Sequence, residues 1–181
     1  MAQINYVAAA SIIDPNSSFT SLGDPYNYDS LRWHTTQVNE YDLEAAWIGI
    51  EKKRIIKKLT DDMVVDLQLN FQSDILVPGV MRRYDTDLQS QIGIIGAFIY
   101  SQKDSGHPDG RSFKVSSYDL NTGLISFDNY TVDQISALVD TFASFTEGLI
   151  QRLTDKINQV LAVNDANPHV SLDLIYAITW S

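Results

Sequence analysis

Apolar and polar positions along this chain repeat with two periods, and the longest regular stretch keeps the helical one. From Asp128 to Ala162, apolar residues recur at Ile135, Leu138, Phe142, Phe145, Leu149, Leu153, Ile157 and Val160. The steps are three or four throughout, so one helical face stays apolar. Thr131 and Gln134 form a T-x-x-Q capping box, in which the hydroxyl takes an orphan amide and the glutamine reaches back. Tyr130 and Ile135 stand where a hydrophobic staple would, and Asp133 puts negative charge in the first turn. The spacing predicts one helix over 131–162, a rod of about 45 Å. Its oily side is too extensive for the short companions in its own chain, so its burial is expected to finish inside a larger object.

Asn39 to Leu59 predicts a second helix, with Asn39 as cap and Glu40 and Asp42 in the first turn. Leu43, Trp47 and Ile50 share a face, continued by Ile55 and Leu59, while Lys52, Lys53, Arg54, Lys57 and Lys58 crowd the far end. Those cations read as dipole partners on a solvated face, the alternative being a docking patch for an acidic neighbour. Asp62 to Gln72 alternates Val65, Leu67, Leu69 and Phe71 with polar residues, the pattern of a half-buried strand. Pro78-Gly79 suits a type II turn. Thr86 to Gln102 opens with a second T-x-x-Q and carries Leu88, Ile92, Ile95 and Ile99 on one stripe, which predicts a third helix packed on the long one. Gly93 and Gly96 inside it point to close approach of another backbone, or to a kink.

FKVSSYDLNTGLISFD reads as a hairpin turning near Asn121-Thr122-Gly123. His169 to Trp180 alternates again through Val170, Leu172, Leu174, Tyr176, Ile178 and Trp180, which predicts a final strand lying on the 63–72 strand or on a neighbour's sheet edge. Residues 1–38 differ in texture. Two Asp-Pro steps, many Ser and Thr, and Tyr26, Tyr28 and Trp33 point to an extended arm pinned by aromatics, with one short strand or helix. The expected fold is therefore α+β: an arm over 1–38, then a body over 39–181 with three main helices and a small antiparallel sheet that includes a C-terminal strand.

Composition narrows the function. The 181 residues carry 13 basic and 23 acidic side chains, a formal charge of -10. Phosphate binding needs a basic face, so nucleic acid is not an expected partner. The absence of cysteine removes disulfides and thiolate metal sites. No apolar run is long enough to span a membrane, and MAQINYVAAASIID lacks the basic start of a signal peptide.

Chemistry is scarce. His34, His107 and His169 are far apart, and no P-loop, G-x-S-x-G or G-x-G-x-x-G occurs. Asp104, Ser105, His107 and Asp109 crowd one loop, but catalytic triads are assembled across a fold rather than within six residues. Their spacing does not match an EF-hand either. Asp61 and Asp62 read as turn residues. No catalytic, cofactor-binding or metal-binding residue is expected. Tyr26, Tyr28, Trp33 and Trp180, with Trp47, could stack on a saccharide or fill cores and interfaces.

The segment from about Asn70 to Ala162 resembles a small domain of unknown function found in phage tail proteins, often near tail-fibre genes. The matching residues are Tyr84 to Ile92 (YDTDLQSQI), then Phe127-Asp128-Asn129, then Thr131 through Ile157. Members of that family often have Trp where this chain has Phe127, and residues before 70 and after 162 fall outside the likeness. The resemblance implies a non-catalytic part of a tail fibre, fibre adaptor or baseplate periphery, assembled in the host cytoplasm and carried in the virion. Other tail proteins are the implied partners, and fibre symmetry favours a homotrimer. The interface expected from the helical pattern comprises Leu138, Phe142, Phe145, Leu149, Leu153, Ile157, Gly93 and Gly96. Two other readings are a tail-fibre assembly chaperone and a saccharide-binding receptor module that uses the arm aromatics or Trp180.

Overall fold

A computed structural model describes residues 2–13, 18–103, 113–164 and 166–181 of the chain. In order, the elements are α1 (Tyr6–Ile13), β1 (Phe19–Ser21), a single 3-10 turn (Tyr28–Ser30), β2 (Leu31–Trp33), α2 (Glu40–Leu69), β3 (Gln72–Ser73), β4 (Arg82–Arg83), α3 (Leu88–Lys103), β5 (Phe113–Asp119), β6 (Ile125–Tyr130), α4 (Val132–Ala162) and α5 (Pro168–Ala177). The chain divides into two compact units, one of Met1–Thr60 with Leu153–Ser181 and one of Asp61–Arg152. The α+β class holds, but the described residues form five α-helices and two antiparallel sheets, not three main helices and one sheet.

In the first unit, Asn5 caps α1 by accepting the Ala8 amide at 2.9 Å, and Tyr6, Ala9 and Ala10 form its buried face while Ile12 and Ile13 stay exposed. Ile4, Tyr6, Ala9, Ala10, Leu31, Leu43 and Leu172 form one core. Ile55, Leu59, Val160 and Ile175 form another, with Trp180 packed against it. Asn39 caps α2 as its sequence indicates, accepting the Asp42 amide at 2.8 Å. Glu51 lies on the same buried face, 4% exposed, and Arg54 holds its carboxylate at 2.7 Å.

Two expected strands are helices. The 63–72 strand is instead the end of α2, which runs on to Leu69. No Gly or Pro stands between Gly49 and Pro78, so nothing interrupts the ladder once it is nucleated. On the helix, Val64, Val65 and Leu69 are exposed, and only Phe71 beyond its end is fully buried. The expected C-terminal strand is α5. Asn167 accepts the amides of His169 and Val170, and Pro168 occupies the first turn, where its missing N–H costs nothing. Alternation gives way to helical spacing: Leu172 and Ile175 are buried, while Val170 and Leu174 face out.

The second unit is a four-stranded sheet in the order β3-β4-β5-β6, covered by parts of helices. Gly79 has φ +83 and the Val80 amide reaches the Val77 carbonyl at 2.9 Å, which is the type II turn expected of Pro78-Gly79. The expected β5–β6 hairpin forms, with Asp119 receiving the Asn121 and Thr122 amides and Gly123 at φ +70. Phe71, Tyr84, Ile94, Val115, Tyr130, Ile135 and Leu138 make the core. Phe71 sits at its centre, 5.0 Å from the Phe142 ring and 5.5 Å from those of Phe145 and Tyr84.

The long helix starts as its capping box dictates. The Thr131 hydroxyl takes the Gln134 amide at 3.2 Å and the Gln134 side chain takes the Thr131 amide at 2.9 Å. Its oily side is covered further within one copy than the sequence leads one to expect. Ile135, Leu138, Leu149 and Val160 are buried within one copy, and Phe142, Phe145, Leu153 and Ile157 are half-buried. No position of the stripe is exposed.

α3 departs from its sequence reading twice. Thr86 is not the cap: its buried hydroxyl donates to the Leu67 carbonyl, and Asp87 caps instead by accepting the Ser90 amide at 2.8 Å. The face that joins the core carries Ile94 and Ala97, so the stripe of Ile92, Ile95 and Ile99 points outward.

Candidate functional site

The outward side of α3 is the most unusual surface of the second unit. Ile92 is 61% exposed, Tyr100 66%, and Ile95 and Ile99 about half. On the hairpin, Leu124 is 69% exposed, Ile125 57% and Phe127 72%. Single exposed apolar residues are ordinary, but a run of large ones marks a contact surface. Gly93 and Phe127 line one cavity of about 150 Å³, together with Asp85, Ser90, Ile94, Lys114, Val115 and Ser116. The cavity's α3 lining is Ser90, Gly93 and Ile94, so it joins the hairpin to a different side of the helix from Ile92, Ile95 and Ile99. A Cβ at Gly93 or Gly96 would meet no atom of the described residues within 4 Å, so the close approach expected at these glycines is not made among them.

Strand pairing explains why Phe127 points out. Val115 and Ser117 on β5 lie opposite Asp128 and Ser126 on β6 and face inward. Lys114 and Ser116 lie opposite Asn129 and Phe127 on the other face. The inward face ends in polar groups that bond to one another, apart from the buried Arg82 Nε, which has no partner among the described residues. The Arg82 guanidinium pairs with Asp128 and reaches the hydroxyls of Ser126 at 2.7 Å and Ser117 at 3.2 Å. Beyond them the Tyr84 and Tyr130 hydroxyls meet at 2.5 Å. Burial pushes both phenols above the usual tyrosine range; the contact between them raises Tyr130 further and partly offsets the rise at Tyr84. This network ties β4, β5 and β6 together.

The aromatic candidates in the first unit are mostly packing residues. The Tyr28 hydroxyl donates to the Val38 carbonyl at 2.7 Å and its ring meets Tyr6 edge-on at 5.8 Å. Trp33 packs on Phe19 at 5.5 Å. Trp180 belongs to the cluster around Ile55, a different one from that holding Tyr28 and Trp33. Tyr26 is exposed. The four do not make a common flat platform. A cavity of about 250 Å³ lies near Tyr41, Glu44, Ile48 and Lys52. Its one cation is engaged: Lys52 donates to the Leu161 and Val163 carbonyls at 3.1 and 2.6 Å, closing the orphan acceptors at the end of α4. Tyr6 sits between Glu40 and Glu44 at 3.1 and 3.0 Å. Its phenol is raised by burial first and by those carboxylates second.

Among the described residues no group of three or more His, Asp or Glu side chains could hold a metal ion. His34 bonds Thr20 at 2.7 Å and His169 contacts the Ala2 carbonyl at 2.9 Å. Asp104, Ser105, His107 and Asp109 lie outside the described residues. No helix among the described residues is long and apolar enough to cross a membrane. Compared with protein-family models, curated proteins and solved structures, the chain matches none.

Proposed function

We propose that this chain is a non-catalytic assembly subunit of a phage tail, held to other tail proteins through the second unit. The observation that carries the reading is the exposure of large apolar side chains in the second unit: Ile92, Ile95, Ile99 and Tyr100 on α3, and Leu124, Ile125 and Phe127 on the hairpin. Such side chains cost about 25 cal/mol per Å2 of apolar surface left in water, and a partner recovers that energy. The phage-tail part of the reading is supported by the resemblance of residues 70–162, which contain every residue of this surface. The α4 stripe no longer supports it, because Leu138, Phe142, Phe145, Leu149, Leu153 and Ile157 are all occupied at least in part within one copy. A trimer built on that stripe loses its seam with it.

The test is peptide mapping of purified tail particles from a phage that encodes the chain, with wild type and an Ile95→Asp/Ile99→Asp variant. The expected result is the chain present in fixed ratio to other tail proteins and depleted in the variant. Presence only in the lysate, bound to unassembled fibre, would move the assignment to an assembly chaperone. Absence from both would overturn it.

A further inference from the structure

Among the described residues, β6 is the end strand of its sheet and pairs with β5 on one side only. Which of its backbone groups are left over follows from one hydrogen bond. The Asp119 amide donates to the Leu124 carbonyl at 3.0 Å, and Tyr118 lies opposite Ile125. Hydrogen-bonded and non-hydrogen-bonded pairs alternate along an antiparallel ladder. Ser126 and Asp128 therefore turn their amides and carbonyls toward β5, while Ile125, Phe127 and Asn129 turn theirs to the open edge. Those three are also the exposed residues of the strand. Proteins usually guard such an edge with Lys, Pro, a bulge or a covering element. β6, ISFDNY, has none of the first two, and its six residues pair with β5 without a bulge.

We propose that a second copy of this chain covers that edge, β6 against β6, antiparallel about a twofold axis. The strand is complementary to itself. With Phe127 opposite Phe127 of the second copy, Ile125 falls opposite Asn129, and every outward amide and carbonyl of the three residues finds a partner. The two exposed phenyl rings then meet across the axis, an aromatic cross-strand pair. Sliding the register so that Asp128 faces its own copy would oppose like charges and leave Ile125 unpaired. Charge also selects the edge. The whole chain is at -10, which pushes copies apart. β6 has a single carboxylate, held by Arg82, and Lys114 stands beside it on the neighbouring strand. The two copies can approach here with little repulsion. This names one partner within the assembly reading but stands on the geometry of β6, so its failure would leave the particle experiment untouched.

The absence of cysteine makes the register testable. In the proposed pairing the two Cα atoms of residue 127 stand about 5.5 Å apart, within disulfide reach. Those of residue 125 are four residues out of register, roughly 14 Å apart. Phe127→Cys under copper-phenanthroline oxidation is expected to give a covalent dimer, and Ile125→Cys is not. Sedimentation velocity of the unmodified full chain is expected to show a monomer–dimer equilibrium in the micromolar range. Asn129→Pro, which removes an outward amide and leaves the β5 ladder intact, is expected to weaken that equilibrium at least tenfold. Circular dichroism of each variant checks that it folds. A folded chain that sediments as monomer at every concentration, or cross-linking as efficient at 125 as at 127, overturns the proposal.

Discussion

α3 and α4 open with the same four-residue signature and carry similar apolar stripes, yet one stripe is covered and the other faces water. In α4 the capping box closes reciprocally, and Ile135 and Leu138 are wholly buried. In α3 the first threonine gives its hydroxyl to Leu67, the start slips to Asp87, and Ile92, Ile95 and Ile99 end outside. The contrast lies in what surrounds the stripe. On α4 the positions between the stripe residues are mostly polar or small, with Val139, Ile150 and Leu161 the large apolar exceptions, so one face dominates and enters the core. On α3 the run IGIIGAFIY is apolar nearly all round. Such a helix offers several equivalent faces, and tertiary packing chooses among them. Here the choice falls on Ile94 and Ala97 and leaves the bulkier isoleucines on display.

The sharpest way to break this comparison is truncation on each helix. Leu138→Ala is expected to cost about 2–5 kcal/mol, and Phe71→Ala about as much, whereas Ile95→Ala and Ile99→Ala should stay within about 0.5 kcal/mol. Urea denaturation of the four variants reads the difference; equal losses on both helices would show that α3 also packs by its isoleucine stripe. A second effect is alkaline. Tyr84, Tyr130 and Tyr6 hold their protons more tightly folded than unfolded. Their contribution is fully present below the ordinary tyrosine pKa near 10 and is lost as pH rises above it. Stability is expected to fall from about pH 10 upward, more shallowly in the Tyr84→Phe/Tyr130→Phe double variant. A thermal-melt series across that range would show it, and an identical slope in the double variant would place the loss elsewhere.

A smaller effect concerns the caps. Thr131→Ala and Asp87→Ala should each cost about 1 kcal/mol. If Asp87→Ala instead changed nothing, the start of α3 would revert to Thr86. The smallest effect on stability belongs to Ile95→Asp, near zero for the folded chain alone, with its consequence appearing only when the partner is present.

Much of the first-order pattern was legible. The Thr131 box, the Asn39 cap, the Pro78-Gly79 turn and the Asn121–Gly123 hairpin all rest on local chemistry that a few adjacent residues complete by themselves. What misled was alternation over short runs. Val65 to Phe71 and Val170 to Trp180 alternate as strands do, but each also satisfies helical spacing. The deciding signals lay next to them: the lack of any breaker after Leu59, and Asn167-Pro168 as a cap with proline in the first turn. The exposed apolar surface was half legible. Ile92, Ile95 and Ile99 were visible as a stripe, and only their direction was not. Phe127 and Ile125 gave no sign, because which face of a hairpin meets the core depends on Arg82 and Tyr84 from a distant part of the chain.

The most direct measurement is a cryo-electron-microscopy map of the tail particle with this chain traced in it. The account predicts a neighbouring subunit over Ile92, Ile95 and Ile99 and a strand alongside β6, with Leu138 and Phe142 touching only their own chain. A map in which α3 and β6 face solvent, while another subunit packs against the α4 stripe, would contradict it.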